Sequence, residues 1–213
     1  MLSQILELFF PATMAICSGL RAFLPLLVIS MMYYTGHVEV APYFAFFFSK
    51  FMLPIYFLLS VAEILVDKFR VFDDFIDNIF LLLRPAASFL AVASQITAYT
   101  PMENLLIAFA ISLILTGSVH VTKARSRILS SAKYYLSFNL SSSLIEDAMC
   151  IVGLVLAFTA PVPAFPIMFI VVFFTMKEMR KVKFSLLDHY REAEKEKRRE
   201  PRVTKVKKLK KLK

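Results

Sequence analysis

Between Glu7 and Glu39 the chain carries a single charged side chain, Arg21, in an otherwise apolar run. A guanidinium group does not lose its proton in a protein, and at the centre of a bilayer it costs from about 2.5 to well over 10 kcal/mol. Whatever fold the chain adopts therefore has to give Arg21 a carboxylate partner, a water-filled cavity or an anionic ligand.

The apolar run around Arg21 is one of several that are long enough to cross a membrane. Hydrophobic residues make up 58% of the 213 positions, Phe occurs 22 times, and the mean hydropathy is +0.66. A helix needs about 20 apolar residues to cross the hydrocarbon core. We therefore predict an all-α, polytopic membrane helix bundle. The six predicted helices lie near 5–33, 43–66, 85–100, 103–122, 141–160 and 162–178.

The Lys and Arg residues between these helices predict the orientation of the bundle. They fall in the second and fourth connections, whereas the first, third and fifth connections contain none. Cytoplasmic loops carry an excess of Lys and Arg, so the even connections and both termini are expected in the cytoplasm. The residues concerned are Lys68, Arg70, Arg84, Lys123, Arg125, Arg127 and Lys133.

The positive charge of the chain is concentrated at its C-terminal end. From Lys177 onward lie 16 of the 25 Lys and Arg residues and 6 of the 16 Asp and Glu residues. We therefore divide the chain into a transmembrane helical domain, 1–176, and a basic cytoplasmic tail, 177–213. Each basic residue near an anionic lipid surface contributes about 1 kcal/mol, which makes the bilayer and its anionic headgroups the expected partners of the tail. No aromatic residues interleave with the basic ones, so nucleic acid is not the favoured partner.

The ionisable residues in or beside the apolar segments form two similar sets. In each set a short break of small residues precedes a basic residue, and a Ser-x-x-Glu pattern follows with an Asp close behind. Two three-helix repeats of this kind would have inverted topology, an arrangement found in many transporters. Chance similarity in a biased composition is the alternative. The sets are Ser18, Gly19, Arg21, Glu63 and Asp67 in one half, and Thr116, Gly117, His120, Lys123, Glu146 and Asp147 in the other.

Cysteine and histidine give no indication of a metal or cofactor. Cys17 and Cys150 lie within predicted helices, where a free Cys behaves as a small hydrophobic residue, and we expect packing contacts rather than a disulfide. The three His residues, His37, His120 and His189, are far apart in the sequence and have no ligand spacing. We predict no metal site, no cofactor and no catalytic residues.

Taken together in their order, these motifs resemble a bacterial integral membrane family known only as domain of unknown function 4126. The similar segments cover roughly residues 12–175. The resemblance implies a compact multi-helix protein of the bacterial inner membrane and brings no activity with it. The motifs are 18–25, Glu63 with Val66-Asp67-Lys68, Asp74 and Asp77 before Arg84-Pro85, His120 with Lys123-Ala124, and Glu146-Asp147.

Our functional hypothesis follows from a break in the first helix. Gly19 and Pro25 favour a broken or re-entrant helix, whose free N–H groups and positive dipole end would attract an anion near Arg21. We therefore predict a transporter or flippase for an anionic small molecule or lipid. The predicted substrate-binding residues are Arg21, Lys123, Gly19, Ser18 and His120. The predicted counter-charges and proton carriers are Glu63, Asp67, Glu146 and Asp147.

Other interpretations of the same residues stay open. Arg21 could form an internal ion pair with Glu63 or Asp67, and Glu146-Asp147 could occupy the first turn of a helix capped by 141–143. The Arg84-Pro85 pair predicts the start of a helix, preceded by an amphipathic interfacial helix containing Asp73, Asp74 and Asp77.

Two other function classes and one question of assembly also remain. The basic tail could recruit a partner to a membrane scaffold. A lipid-modifying enzyme could use His120 as a general base, although the sequence has no nucleophile elbow or paired His motif. Small residues within 86–93 would permit close helix contacts inside one chain or in a homodimer.

Overall fold

The computed structural model describes residues 6–66, 73–97, 99–121, 136–175 and 177. Within these ranges the protein consists of helices and turns, without a β-strand, which confirms the all-α prediction. The chain divides into two compact units, Met1–Phe173 and Phe174–Lys213. Two of the predicted site residues, Asp67 and Lys123, lie outside the described residues, as does the tail apart from Lys177.

Seven α-helices and one 3₁₀-helix follow each other along the described residues. The α-helices are α1 (Phe9–Leu20), α2 (Phe23–Tyr34), α3 (Met52–Val66), α4 (Asp73–Gln95), α5 (Pro101–Val121), α6 (Leu136–Thr159) and α7 (Pro161–Thr175), and the 3₁₀-helix is Pro42–Phe48.

The apolar run around Arg21 forms two helices with Arg21 at the break. The last helical bond of α1 joins the Arg21 N–H to the Cys17 carbonyl at 2.8 Å, and Arg21 itself is extended (φ −136°, ψ 118°). Helix α2 begins at Phe23, after Ala22 as its N-cap. Pro25 has no N–H group with which to bond the Arg21 carbonyl, so one helical hydrogen bond across the break cannot form.

Helix α1 is the central helix of the first unit. Every residue from Pro11 to Leu20 is buried, and α1 contacts α4, α5 and α6. The approach to α5 depends on Gly19, because a Cβ there would lie 2.7 Å from Val119 Cβ. A hydrogen bond of 2.7 Å from Thr116 Oγ1 to the Ala15 carbonyl joins the same two helices.

Helix α4 differs from the sequence prediction. It runs without interruption from Asp73 to Gln95, with Pro85 inside it. The predictions of a helix beginning at Arg84-Pro85 and of a separate interfacial helix before it are therefore wrong. A proline in a helix removes one backbone hydrogen bond, and this helix continues past that loss. As a result Arg84 lies in mid-helix, and its side chain is fully buried.

Helix α6 begins earlier than predicted, so the alternative that Glu146 and Asp147 occupy its first turn is wrong. It runs from Leu136, so the serines 141–143 lie inside it and do not form its N-cap. Glu146 is in the third turn rather than the first, and it is buried. An acid in the third turn is too far from the helix start to be explained by the helix dipole.

The apolar surface of the helices supports a membrane protein. Within the described residues α5 is long and apolar enough to cross a bilayer, and the 3₁₀-helix with α3, bent by 63° between them, would make a second span. Shorter apolar helices are Phe9–Leu20, Phe23–Tyr34, Ile79–Gln95 and Pro161–Thr175. Large apolar side chains such as Phe51, Leu82 and Met102 are exposed, which is typical of a surface covered by lipid or by another protein.

Candidate functional site

Helices α3 to α6 bring Glu63, Arg84, His120 and Asp147 to the break between α1 and α2, where Arg21 lies, and Glu146 is buried on α6 next to Asp147 in the sequence. We call this set the buried charge cluster. Both guanidinium side chains are 0% exposed, and of the acids only the Asp147 side chain, at 17%, has appreciable exposure. The members of the cluster are Arg21, Glu63, Arg84, His120, Glu146 and Asp147.

Arg21 is held by helix α6. Its Nε donates to Asp147 Oδ1 at 2.5 Å, and its Nη2 donates to Ser143 Oγ at 2.9 Å. Ser143 and Asp147 are four residues apart, so they lie on one face of α6 and can contact the same guanidinium group. The Arg21 guanidinium thus contacts Asp147, one of the four predicted counter-charges, whereas the internal ion-pair alternative named Glu63 and Asp67.

Glu63 caps the helix that follows the break. Its Oε1 accepts a hydrogen bond from the Ala22 N–H at 2.9 Å, and its Oε2 accepts one from the Phe23 N–H at 3.2 Å. The first N–H groups of a helix have no partner within the helix and favour a negative charge. Glu63 supplies that charge from the last described turn of α3, so its Ser60-x-x-Glu63 pattern is not a capping box of its own helix.

Arg84 connects Glu63 to His120. Its Nη1 donates to His120 Nδ1 at 2.9 Å, its Nη2 lies 3.5 Å from Glu63 Oε1, and its guanidinium carbon lies 5.2 Å from the centre of the Phe80 ring. Arginine has no acceptor, so Nδ1 of His120 has to be the unprotonated ring nitrogen. His120 is therefore a neutral imidazole with its proton on Nε2 while this contact is made.

A polar stripe continues from the cluster between α4 and α5. One turn beyond the contact of Arg84 with His120, Ser88 Oγ and Thr116 Oγ1 share a hydrogen bond of 2.6 Å. Thr116 ends a short π-helical stretch, Ser112–Thr116, within α5. Single π-turns within α-helices are frequent at functional sites.

The other predicted site residues in the described ranges, Ser18 and Gly19, are buried in helix contacts next to the cluster. Gly19 allows the contact with Val119, and the Ser18 hydroxyl is buried without a hydrogen-bond partner among the described residues. Cys17 and Cys150 are free thiols, and each lies near the carbonyl of the other, at 3.9 and 3.5 Å. The described residues include no group of three His, Cys, Asp or Glu side chains that could hold a metal ion.

An apolar groove of about 270 Å³ lies between α2 and α6, close to the cluster. Leu24 and Ile151 line it, one turn beyond Arg21 and Asp147 respectively, and Phe158 lines it farther along α6. The groove has no polar lining surface. A charged group at the cluster and a hydrocarbon chain in the groove would thus be one helical turn apart.

A family model described as "Domain of unknown function (DUF4126)" matches residues 8–181. The chain belongs to this DUF4126 family. No curated protein matches it. No solved structure matches it. The predicted resemblance is confirmed, and the DUF4126 match contains the whole buried charge cluster while ending before the polybasic segment 205–213.

Sequence reasoning missed Arg84 as a member of the site in this DUF4126 protein, although the signal was present. Arg84 is the only charged residue between Asp77 and Glu103, which is the same pattern that identified Arg21. Pro85 next to it favoured a helix start, and that interpretation placed Arg84 at an interface instead of in the interior. Ser143 was missed as a partner of Arg21 because it was assigned to a helix cap.

Proposed function

We propose that this protein is a multi-pass transporter of the bacterial inner membrane, which binds the anionic group of a small molecule or a phosphate-bearing lipid at the buried charge cluster. The observation that supports this proposal is the burial of both Arg21 and Arg84, at 0% exposure, beside a helix break. Arginine is the side chain best suited to phosphate and carboxylate groups because its planar fork of N–H donors matches their oxygens.

Fold stability alone does not account for the cluster. Removing two charges from water costs about as much as their attraction returns, so replacing a buried ion pair by apolar residues of similar size is often neutral or stabilising. Ionisable residues inside a membrane protein are a functional-site hypothesis by default, because they are expensive and usually mark ion or substrate pathways.

The charges of the cluster suggest coupling to protons. Its described members are two Arg side chains and three carboxylates, so with His120 neutral and the acids ionised the formal charge is −1. An incoming anion would make this balance more negative, and a carboxylate that takes up a proton would offset the change. Asp147 has the greatest exposure of the three acids and contacts Arg21, so we assign the proton exchange to it.

Two features support a multi-pass arrangement. Helices α2, α4 and α7 expose large hydrophobic side chains, and the 3₁₀-helix with α3 would make one broken span. Broken helices whose ends point at a charged substrate near the middle of the membrane are a common design in transporters, often in inverted repeats. The two inverted three-helix repeats remain a prediction, as does the assignment of both termini to the cytoplasm.

Reconstituted vesicles provide the test of transport. Fluorescently labelled phosphatidate in the inner and outer leaflets can be distinguished by a membrane-impermeant quencher, and movement of labelled phosphate can be followed in parallel. We expect the wild-type protein to move one of these anions faster than protein-free vesicles, and to move a labelled phosphatidylcholine no faster than they do.

The matched variants remove the ion pair between Arg21 and Asp147. Measured on protein that is folded by circular dichroism, the double variant Arg21→Ala with Asp147→Ala should lose transport because it removes the acid to which we assign the proton exchange, whereas His37→Gln, at an exposed site outside the cluster, should transport like the wild type. Deletion of 201–213 should leave transport unchanged if the tail is an anchor. Full transport by the double variant, or no anion movement by the wild type, would contradict the proposal.

A further inference from the structure

We infer that the oxyanion binds on the Nε–Nη2 edge of Arg84, and that Arg21 serves chiefly to hold the helix break against α6. This inference rests on the proposed function, and it names the site and the ligand chemistry, a phosphate or carboxylate group. Nothing in the family description assigns a role to Arg84.

The hydrogen bonding of Arg84 is incomplete. Its Nε is buried and has no hydrogen-bond partner among the described residues, although the side chain is fully buried. Its Nη2 has only the 3.5 Å contact with Glu63, at the limit of hydrogen bonding. A buried donor without an acceptor costs about 1–3 kcal/mol, more when it is charged, and an oxyanion on this edge would remove that cost.

Arg21 differs from Arg84 in how its guanidinium edge is bound. Nε and Nη2 of an arginine lie on one edge of its planar group, the edge that binds two oxygens side by side. In Arg21 that edge is occupied, because Nε contacts Asp147 at 2.5 Å and Nη2 contacts Ser143 at 2.9 Å. An anion at Arg21 would first have to displace Asp147, whereas at Arg84 it would replace one long contact.

The surroundings of Arg84 also suit an exchange of partners. Glu63 is held in place by the Ala22 and Phe23 N–H groups, so it can give up its contact with Arg84 and remain the cap of α2. His120 keeps the other end of the guanidinium group through Nη1, and the Phe80 ring lies over its plane. The orientation of Arg84 is thus set by groups that the anion would not displace.

Binding measurements on the full-length protein in detergent test this inference. Inorganic phosphate and a short-chain phosphatidate are titrated separately, and the dissociation constant is taken from calorimetry. Arg84→Lys keeps the charge but loses the two-donor edge, and loss of one charge-assisted hydrogen bond corresponds to about tenfold or more in affinity. We therefore expect Arg84→Lys to weaken binding by at least about tenfold.

Two comparison variants separate Arg84 from its neighbours. Ser88→Ala lies one turn along α4, outside the cluster, and should bind like the wild type. Arg21→Lys should weaken binding less than Arg84→Lys and should lower the melting temperature of the ligand-free protein more. Equal or greater loss of affinity in Arg21→Lys, or unchanged binding in Arg84→Lys, overturns the inference.

A third variant is expected to strengthen binding instead of weakening it. It keeps the inference testable if Arg84→Lys does not fold. Glu63→Gln removes the competing negative charge beside Arg84 and keeps an oxygen that can cap α2, so it should bind phosphate more tightly than the wild type. Unchanged or weaker binding in this variant contradicts the inference.

The two ligands and the transport assay separate the remaining outcomes. Binding of phosphate and phosphatidate with similar affinity identifies free phosphate as sufficient, whereas binding of phosphatidate alone identifies a lipid headgroup. If the wild type binds neither ligand and moves neither, the proposed function and this inference fail together. If the wild type transports an anion while Arg84→Lys binds it normally, only this inference fails.

Discussion

Arg21 and Arg84 present the same physical problem, a guanidinium group at 0% exposure, and the protein solves it differently for each. Arg21 receives a close carboxylate and a hydroxyl from α6, whereas Arg84 shares the carboxylate of Glu63 with two backbone N–H groups. The difference in pairing is the reason that we assign them different roles.

Asp147 should contribute more to stability than its neighbour Ser143. Asp147→Asn removes the negative charge that contacts the buried Arg21 guanidinium, and breaking a buried ion pair in this way costs about 3–5 kcal/mol. Ser143→Ala removes one hydrogen bond to a charged group, which costs about 1.5–3 kcal/mol. Unfolding in detergent, followed by circular dichroism, measures both changes.

A double variant tests whether the charge is the cause. Arg21→Met with Asp147→Leu removes both charges and should recover most of the stability that Asp147→Asn loses. If Asp147→Asn is no less stable than Ser143→Ala, the contact between Arg21 and Asp147 is not what holds the helix break.

At the residue scale the sequence could identify a buried cation and four candidate counter-charges, but not which of them contacts it. A single charge in a long apolar run is visible without a structure, and this pattern holds for Arg21 and for Arg84. The acid that contacts Arg21 is 126 positions away, and which acid lies there depends on how α6 packs against α1. Spacing along the chain carries no information about such a contact.

At the element scale the break between α1 and α2 is where the helices of the cluster meet. Glu63 of α3 caps α2 across the break, and its contact with Arg84 links α4 to the same point. The sequence indicated a break through Gly19 and Pro25, but it gave Pro85 the wrong role. A proline pattern predicts a local preference, whereas the buried packing of α4 determines that the helix continues.

The contact between α1 and α5 should require the absence of a side chain at position 19. In Gly19→Ala the new Cβ would lie 2.7 Å from Val119 Cβ and 3.2 Å from the Thr116 carbonyl oxygen, so the two helices have to separate. Such overpacking costs about 1–3 kcal/mol. We expect a lower melting temperature in detergent for this variant.

The matched control is Gly117→Ala in α5, where a Cβ would meet nothing within 4 Å. Alanine is the better helix former by about 1 kcal/mol, so this variant should be at least as stable as the wild type. The double variant Gly19→Ala with Val119→Ala, which removes the opposing branched side chain, should recover part of the loss. Equal effects of the two single glycine substitutions would show that helix propensity, and not the contact, governs stability.

At the scale of the whole molecule, the positions of the charged residues and the lengths of the helices give different numbers of membrane crossings. The positions of Lys and Arg predict an even number of crossings, but only α5 is clearly long enough among the described residues, and the others are short or bent. Short helices cross a bilayer when two of them follow each other across a break. The sequence could therefore predict helical segments, whereas the pairing of short helices into spans depends on their packing, and the orientation stays a prediction.

The location of Glu39 relative to the C-terminus distinguishes a crossing from a re-entrant first segment. Glu39 is exposed and follows α2, and the charge pattern places it outside the cytoplasm with residue 213 inside. In intact cells a membrane-impermeant maleimide should label Glu39→Cys, and it should label Lys213→Cys only after permeabilisation. Cys17 and Cys150 are buried and should stay unlabelled in both cases. Labelling of the wild-type protein, which has only these two cysteines, is the control. Labelling of both engineered cysteines only after permeabilisation would mean that α1 and α2 re-enter the same side, and that the predicted two-repeat topology is wrong.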